Sequence, residues 1–224
     1  MATANAPANH GSSTGAIADR LAARLTGVDV LHRPGKEGLG RAYVSGFARA
    51  LGAGASHVIE MDADLSHDPA DLLRLLAADA DLVLGSRYVP GGGVEDWDAL
   101  RRAISRAGCS YARRMLGVDV RDLTGGFKCF RADALRAIDF ATVRSQGYAF
   151  QVELTFRALR RGLRVIEVPI TFRERRRGES KMSLPIALEA AVLVPRLRYG
   201  RRRVRWMLSS APSGEPEGVP IHPA

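Results

Sequence analysis

The stretch His57-Val58-Ile59-Glu60-Met61-Asp62-Ala63-Asp64-Leu65-Ser66-His67-Asp68-Pro69 decides the fold. It begins as an apolar strand and stops at an acidic tip. Val58, Ile59 and Met61 suit a half-buried strand. Asp62 and Asp64 are two residues apart, so in extended backbone both point to one side. Paired carboxylates at a strand's carboxyl end make a hard-oxygen site for Mg²⁺ or Mn²⁺, with water or substrate phosphate completing the sphere. Asp68-Pro69 predicts a helix from Pro69 to about Ala78, with Asp68 as N-cap and Pro69 at the first helical position. A lone Asp-x-Asp is more often a solvated turn. The buried strand before it and the capped helix after it bring the metal reading level with that alternative.

Outward from this stretch, short strands alternate with helices. A helix from Ser13 to about Leu25 places Ile17, Leu21 and Leu25 on one face. Val28–Leu31 reads as a strand, His32–Gly40 as a glycine-rich charged loop and Leu39–Ala53 as a helix. Asp81–Gly85 is a further buried strand, and Asp98–Leu116 a long helix. Asp122–Arg131 reads as loop and strand, Gly147–Arg161 as helix, and Arg164–Ile170 as a strand whose Pro169 marks an edge or an end. The pattern is that of an α/β fold with a largely parallel sheet. The expected divisions are a disordered stretch at 1–12, a catalytic domain at 13–182, an amphipathic basic helix at 183–208 and a disordered tail at 209–224.

The 224 residues suffice for one domain, and 46% hydrophobic with 25% charged residues is ordinary globular usage. Cys109 and Cys129 lack metal-ligand spacing and read as buried thiols. No apolar run reaches the roughly 18 residues that span a bilayer, and the first residues lack the basic start and apolar core of a secretory signal. Net charge is +9, and 173–205 alone holds eleven Lys or Arg against three Glu. A regional excess of that kind suits lipid headgroups, substrate phosphates or nucleic acid. Aromatic residues are sparse at 6% and not interleaved with the basic run, which argues against nucleic acid.

An acidic tip that holds a metal calls for an anionic ligand, and several cations are candidates to meet it. Arg87 follows a buried strand within Gly85-Ser86-Arg87-Tyr88, Arg101 and Arg102 lie near a helix start, and Arg177 and Lys181 lie in the late loop Arg177-Gly178-Glu179-Ser180-Lys181-Met182. Arginine grips phosphate through a planar fork and lysine as a point charge. In an open α/β sheet the strand carboxyl ends face one ligand crevice, so Asp62, Asp64 and Gly85–Tyr88 are expected to share it. The late loop reads as a lid over a phosphate or, equally, as a solvated hairpin.

These motifs occur in one order: Met61–Pro69, Gly85–Tyr88, Trp97…Arg101-Arg102…Ile104-Ser105-Arg106, Asp122–Lys128, Gly147–Glu153 and Arg177–Met182, with the loop Arg33–Gly40 ahead of them. In this order the chain resembles the polyprenol-phosphate (dolichyl-phosphate) mannose synthases, inverting glycosyltransferases with a nucleotide-diphospho-sugar transferase (GT-A-like) fold. The resemblance implies a Rossmann-like sheet with helices on both faces, lacking the family's first one or two strands. It implies transfer of mannose from GDP-mannose to a polyprenyl phosphate with Mg²⁺ or Mn²⁺ at Asp62 and Asp64, Ser66 or a water standing nearby. By the same resemblance Asp64, Arg87 and Lys181 are catalytic. Arg87 with Arg101 or Arg102 contacts phosphate, and Arg177, Ser180 and Lys181 close over the diphosphate. Asp122, Thr124 and Lys128 line the acceptor side, while Gln151 and Glu153 support the site. His57 is expected to be structural, and His67 a turn residue or a group behind the metal ligands.

The family's opening strands, one ending in a Pro-Thr-Tyr-Asn-Glu-like turn and one in paired aspartates, have no match here. The expected cause is a reading start set too late or a frameshift, and the expected consequences are open strand edges, uncovered helix faces and weak or absent GDP-mannose binding. The alternatives within the resemblance are another donor such as UDP-glucose, or a catalytically dead member. The basic helix at 183–208 fits either an anionic membrane surface or ordinary docking. The expected location is peripheral on the cytoplasmic face of the membrane, with a membrane-embedded acyltransferase or anchor protein as a candidate partner.

Overall fold

The computed structural model describes residues 2–7, 13–35, 37–143, 145, 147–174 and 192–200. In chain order the elements are β1 Ala2–Pro7, α1 Ser13–Ala22, β2 Val28–Arg33, α2 Leu39–Gly52, β3 His57–Glu60, α3 Asp71–Ala77, β4 Leu82–Ser86, β5 Gly93–Val94, α4 Ala99–Leu116, β6 Lys128–Arg131, α5 Ala132–Ala137, a 3₁₀ turn Phe140–Thr142, α6 Gly147–Arg160, β7 Val165–Pro169 and β8 Thr171–Phe172. A last helix, α7, covers 192–200.

The main sheet has the order β3-β6-β4-β7. All five residues of β4 are buried, because β6 and β7 flank it on both edges. Its side chains alternate between two cores. Leu82 and Leu84 join Phe47, Phe130, Phe150 and Leu154 on one face, while Val83 joins Leu75, Phe127 and Ile170 on the other. That period of two places helices on both faces of the sheet. Each such fully buried apolar side chain contributes about 1.5–3 kcal/mol.

Several expectations need correction. The sheet is mixed, since β6 runs antiparallel to both β3 and β4. A reversed strand inserted after a long helix leaves no local signal, because the side-chain period is the same in either direction. β3 lies at one edge of this sheet. The stretch 1–12 was expected to be disordered, yet Ala2–Pro7 pairs in parallel with β2. Backbone hydrogen bonding along β2 there prevails over weak strand propensity. The carboxylate strand is followed by a turn at 69–70 before α3 begins at Asp71, and Asp68 caps that turn through the Ala70 N–H, 2.9 Å away. Of the expected helix at 183–208 only 192–200 falls among the described residues, and it is helical.

β1 and β2 form a sheet of their own. Helix α2 packs on both β1 and β3, but among the described residues no ladder joins those two strands. The apolar face of α1 is uncovered in keeping with this: Ile17 and Leu21, and Leu25 just past the helix end, are each about half exposed. Stability is therefore unevenly distributed. In native-state hydrogen exchange the β4 amides, Leu82–Ser86, should be the slowest, and those of β2 should exchange at least about tenfold faster through local opening. Equal protection of the two strands would show that both sheets open as one unit.

Candidate active site

The acidic tip lies just past β3. Tyr43, on α2, donates its hydroxyl to Asp62 Oδ1 at 3.3 Å, and His67 Nε2 stands 3.7 Å from Asp62 Oδ2. Asp64 Oδ1 accepts the Ser66 N–H at 3.1 Å. Between them Leu65 adopts φ 67°, a left-handed conformation that bulky side chains rarely take. The tip is thus a sharp turn held by its own carboxylate. Ser66 and His67 are buried, and neither the Ser66 hydroxyl nor the ring nitrogens of His67 has a hydrogen-bond partner. The His67 ring lies against Phe127 and Phe172, with centroids 4.9 and 5.1 Å away.

Those features suit a divalent cation. Mg²⁺ takes one or two carboxylates and leaves other positions to phosphate oxygens and water. Asp62 and Asp64 supply that donor set, and the buried, unsatisfied Ser66 hydroxyl adds a polar atom at the turn. Among the described residues no cluster of three or more His, Cys, Asp or Glu forms a closed metal cage.

Beneath the tip lies a polar floor. Lys128 is wholly buried and donates to the Gln151 backbone oxygen at 2.8 Å and to Gln151 Oε1 at 2.7 Å. Its Nζ is 3.9 Å from Glu60. Burial pulls the Lys128 ammonium down to about 8, against the pull of Glu60 and Asp122. Burial likewise pushes the Glu60 carboxyl up to about 8, opposed by Lys128 and reinforced by Asp62. Lys128 and Gln151 are placed under the site and not in its opening. Glu153 is also buried, paired with Arg157 at 2.6 Å and hydrogen-bonded to Ser145.

The second half of the site follows β4. Arg87 grips Asp122 with both arms of its guanidinium at 2.7 Å, and its backbone N–H reaches the same carboxylate at 3.0 Å. It also donates to Thr124 at 2.9 Å. Burial opposes both charges, but the partner's charge and hydrogen bonds prevail, so the Asp122 carboxyl lies below its ordinary value and the Arg87 guanidinium above its own. Tyr88, Trp97 and Phe172 surround the guanidinium, with ring centroids 5.1–5.7 Å away. Cys109 Sγ lies 3.2 Å from Thr124 Oγ1, and burial pushes its thiol up to about 11. Both cysteines are free and buried.

Arg101 lies over the Trp97 ring at 4.3 Å and pairs with Glu174. Arg102 is exposed on α4. The two halves meet through aromatic contacts: His67 touches Phe172, and Phe172 touches Trp97 at 5.5 Å. The structure therefore brings Asp62, Arg87, Asp122, Thr124 and Arg101 around one set of rings. It sets Lys128 and Gln151 below them. Arg177, Ser180 and Lys181 lie outside the described residues. Sequence reasoning missed Tyr43, Glu60 and Glu167. Glu167 holds the Arg121 and Asp122 amides at 2.8 and 2.9 Å. A glutamate inside the apolar run Arg164–Ile170 was the available signal for it.

A family model for glycosyl transferase family 2 matches residues 8–139. The chain belongs to glycosyl transferase family 2. Among curated proteins it is 54% identical over 156 residues to an undecaprenyl-phosphate mannosyltransferase of Micrococcus luteus, covering 69% of this chain and 64% of that one. It is 51% identical over 158 residues to a polyprenol monophosphomannose synthase of Mycolicibacterium smegmatis, covering 69% and 60%. The chain thus spans somewhat under two thirds of the length of these relatives. Among solved structures it resembles glucosyl-3-phosphoglycerate synthase from Mycobacterium tuberculosis in complex with Mn²⁺ and UDP-glucose, with a TM-score of 0.59 at 19% identity, covering 84% of this chain and 66% of that one. That likeness shows the shared fold.

The turn after Arg87 depends on a close backbone approach. A Cβ on Gly92 would meet the Ser86 carbonyl oxygen at 2.4 Å and the Arg87 carbonyl carbon at 3.1 Å. Gly92→Ala is therefore expected to lower stability by about 1–3 kcal/mol in denaturant unfolding. An unchanged midpoint would mean that the loop holding Arg87 adapts freely.

Proposed function

We propose that the chain transfers mannose from GDP-mannose to a polyprenyl phosphate. What supports this is the meeting of a carboxylate tip with an arginine-aromatic cluster, in a chain about half identical to relatives named for making a polyprenyl phosphomannose. A phosphate oxygen of the acceptor attacks C1 of mannose as the bond from C1 to the diphosphate oxygen breaks, with inversion. The acceptor phosphate is already ionised near neutral pH, so the step needs no strong general base. This accounts for a site whose histidine is packed between two phenylalanines and not poised beside a nucleophile.

Asp62 and Asp64 would hold Mg²⁺ or Mn²⁺, which when bound stabilises charge growing on the leaving diphosphate. Tyr43 steadies the Asp62 carboxylate through its hydroxyl, and the His67 ring packs beside it. Arg101 and Arg102 attract the acceptor phosphate. Arg87 works as a fixed positive charge: Asp122 and Thr124 hold its guanidinium against the rings that line the site. Lys128 and Gln151 keep the floor rigid. Arg177, Ser180 and Lys181 would close over the diphosphate. The membrane surface, reached from the cytoplasmic side, belongs to the same reading because the acceptor is a lipid.

Transfer of radiolabelled mannose to a short-chain polyprenyl phosphate, with either metal, tests this. Label should appear in the solvent-extractable lipid, and Asp62→Asn or Asp64→Asn should each lower the rate about 10²–10³-fold. Faster transfer from UDP-glucose than from GDP-mannose would overturn the donor, and rates unchanged by both substitutions would overturn the site.

A further inference from the structure

We propose that Phe172 and Arg173 are positioning residues that lock the acidic tip to the β5 side of the site. The lock itself rests on contacts. Its use, holding the donor and acceptor halves in register, rests on the mannosyltransferase reading.

The backbone sets up the lock. Pro169 ends β7, and the Ile170 N–H donates to the Ser86 carbonyl at 3.0 Å. Past that bond the chain leaves β4 for β5. Gly93 donates its N–H to the Ile170 carbonyl at 3.0 Å, and Glu95 donates its own to the Phe172 carbonyl at 2.8 Å. The next amide crosses to the other half of the site. The Arg173 N–H donates to the carbonyl of Ser66, in the turn that carries Asp64, at 3.0 Å. Two successive residues are thus bonded through their backbones to two different parts of the site.

The side chains repeat the pattern. Successive residues of an extended strand face opposite ways. The Phe172 ring meets both His67 and Trp97 edge-on, at interplanar angles of 83° and 71°. His67 belongs to the tip and Trp97 to the loop after β5. Such T-shaped pairs add to what the rings gain by burial alone. The Arg87 guanidinium stands 5.6 Å from the same ring. Arg173 is exposed and takes one carboxylate from each half: Asp68 Oδ2 at 3.4 Å, just past the tip, and Glu95 Oε2 at 2.9 Å, next to β5. Glu174, the residue after it, pairs with Arg101.

Exposed ion pairs are individually weak, because ordering two long side chains offsets the attraction. Here one guanidinium serves both carboxylates from a backbone already fixed by hydrogen bonds, so the ordering is shared. Inside, Phe127 ties His67 to the loop before β6. The link from the tip to β5 and Trp97 runs through 172 and 173. Neither residue has to touch a substrate for this. A misplacement of about 1 Å between reacting groups can cost about 10²-fold in rate, so a site built from two halves gains from a brace that spans them.

Two readouts test the lock, with Arg173→Gln, at a half-exposed side chain, and Phe172→Leu. Initial rates over a grid of GDP-mannose and short-chain polyprenyl phosphate give the factor by which each substrate tightens the other. That ratio does not depend on how much of the chain is folded. The unaltered chain should show a factor of about five to ten, and both variants a factor of about one to two. A factor near one in the unaltered chain, or an unchanged factor in both variants, would overturn the role. Native-state hydrogen exchange needs no substrate. In Arg173→Gln the amides at positions 95 and 173 should exchange faster together, by about fivefold, while those of β4 stay as they were. Faster exchange at only one of the two positions, or at neither, would overturn the lock itself. Absence of transfer in the unaltered chain would count against the mannosyltransferase reading, and exchange then decides the lock on its own.

Discussion

A guanidinium and a carboxylate are locked together out of water where β4 ends, and the site is arranged around them. Removing both charges from solvent costs several kcal/mol per ion, and only near-ideal geometry offsets it. Arg87 and Asp122 meet in a two-armed fork, with a backbone amide and Thr124 completing it. Asp122 is held in turn by Glu167 of β7 through its own amide. One ion pair thereby ties the end of β4, the loop before β6, the middle of β7 and the inner face of α4. The rings of Tyr88, Trp97 and Phe172 close over it.

The carboxylate tip answers to a different constraint. It needs net negative charge at its surface, so the charges below it must be contained. Lys128 sits under Glu60 and Asp62 in a fully buried position, where a lone ammonium would be untenable, and Gln151 accepts two of its protons. Tyr43 then braces Asp62 through its hydroxyl. The result is a half-exposed pair of aspartates on a rigid base, at the edge strand of the main sheet. The proposed transfer, which relies on positioning and charge stabilisation without a strong base, asks for this kind of rigidity.

Much of this could be read from the chain, and the exceptions have physical causes. The apolar run Asp81–Gly85 and the long helix expected over Asp98–Leu116 were legible because burial and helix-forming residues leave local marks. Asp98 accepts the Arg101 amide at 2.7 Å. The fork between Arg87 and Asp122 was not legible, since the residues lie 35 apart and each reads locally as a solvated charge. Lys128 was expected on the acceptor side from the resemblance alone, and nothing nearby in sequence announces Gln151 as its hydrogen-bond acceptor. Ala2–Pro7 read as disordered because alanine, asparagine and proline are poor strand formers, yet a neighbouring strand supplies the pairing. The reversed direction of β6 is set by tertiary connection and carries no periodicity of its own.

A double-mutant cycle on the buried fork tests the account most directly, with Arg87→Met and Asp122→Leu made singly and together and read by equilibrium denaturation. Each single change should cost about 3–5 kcal/mol because it strands an uncompensated charge, and the double variant should recover most of that loss. Single effects that are small and simply add would contradict it, and would mean that the charge at Arg87 is not committed to Asp122.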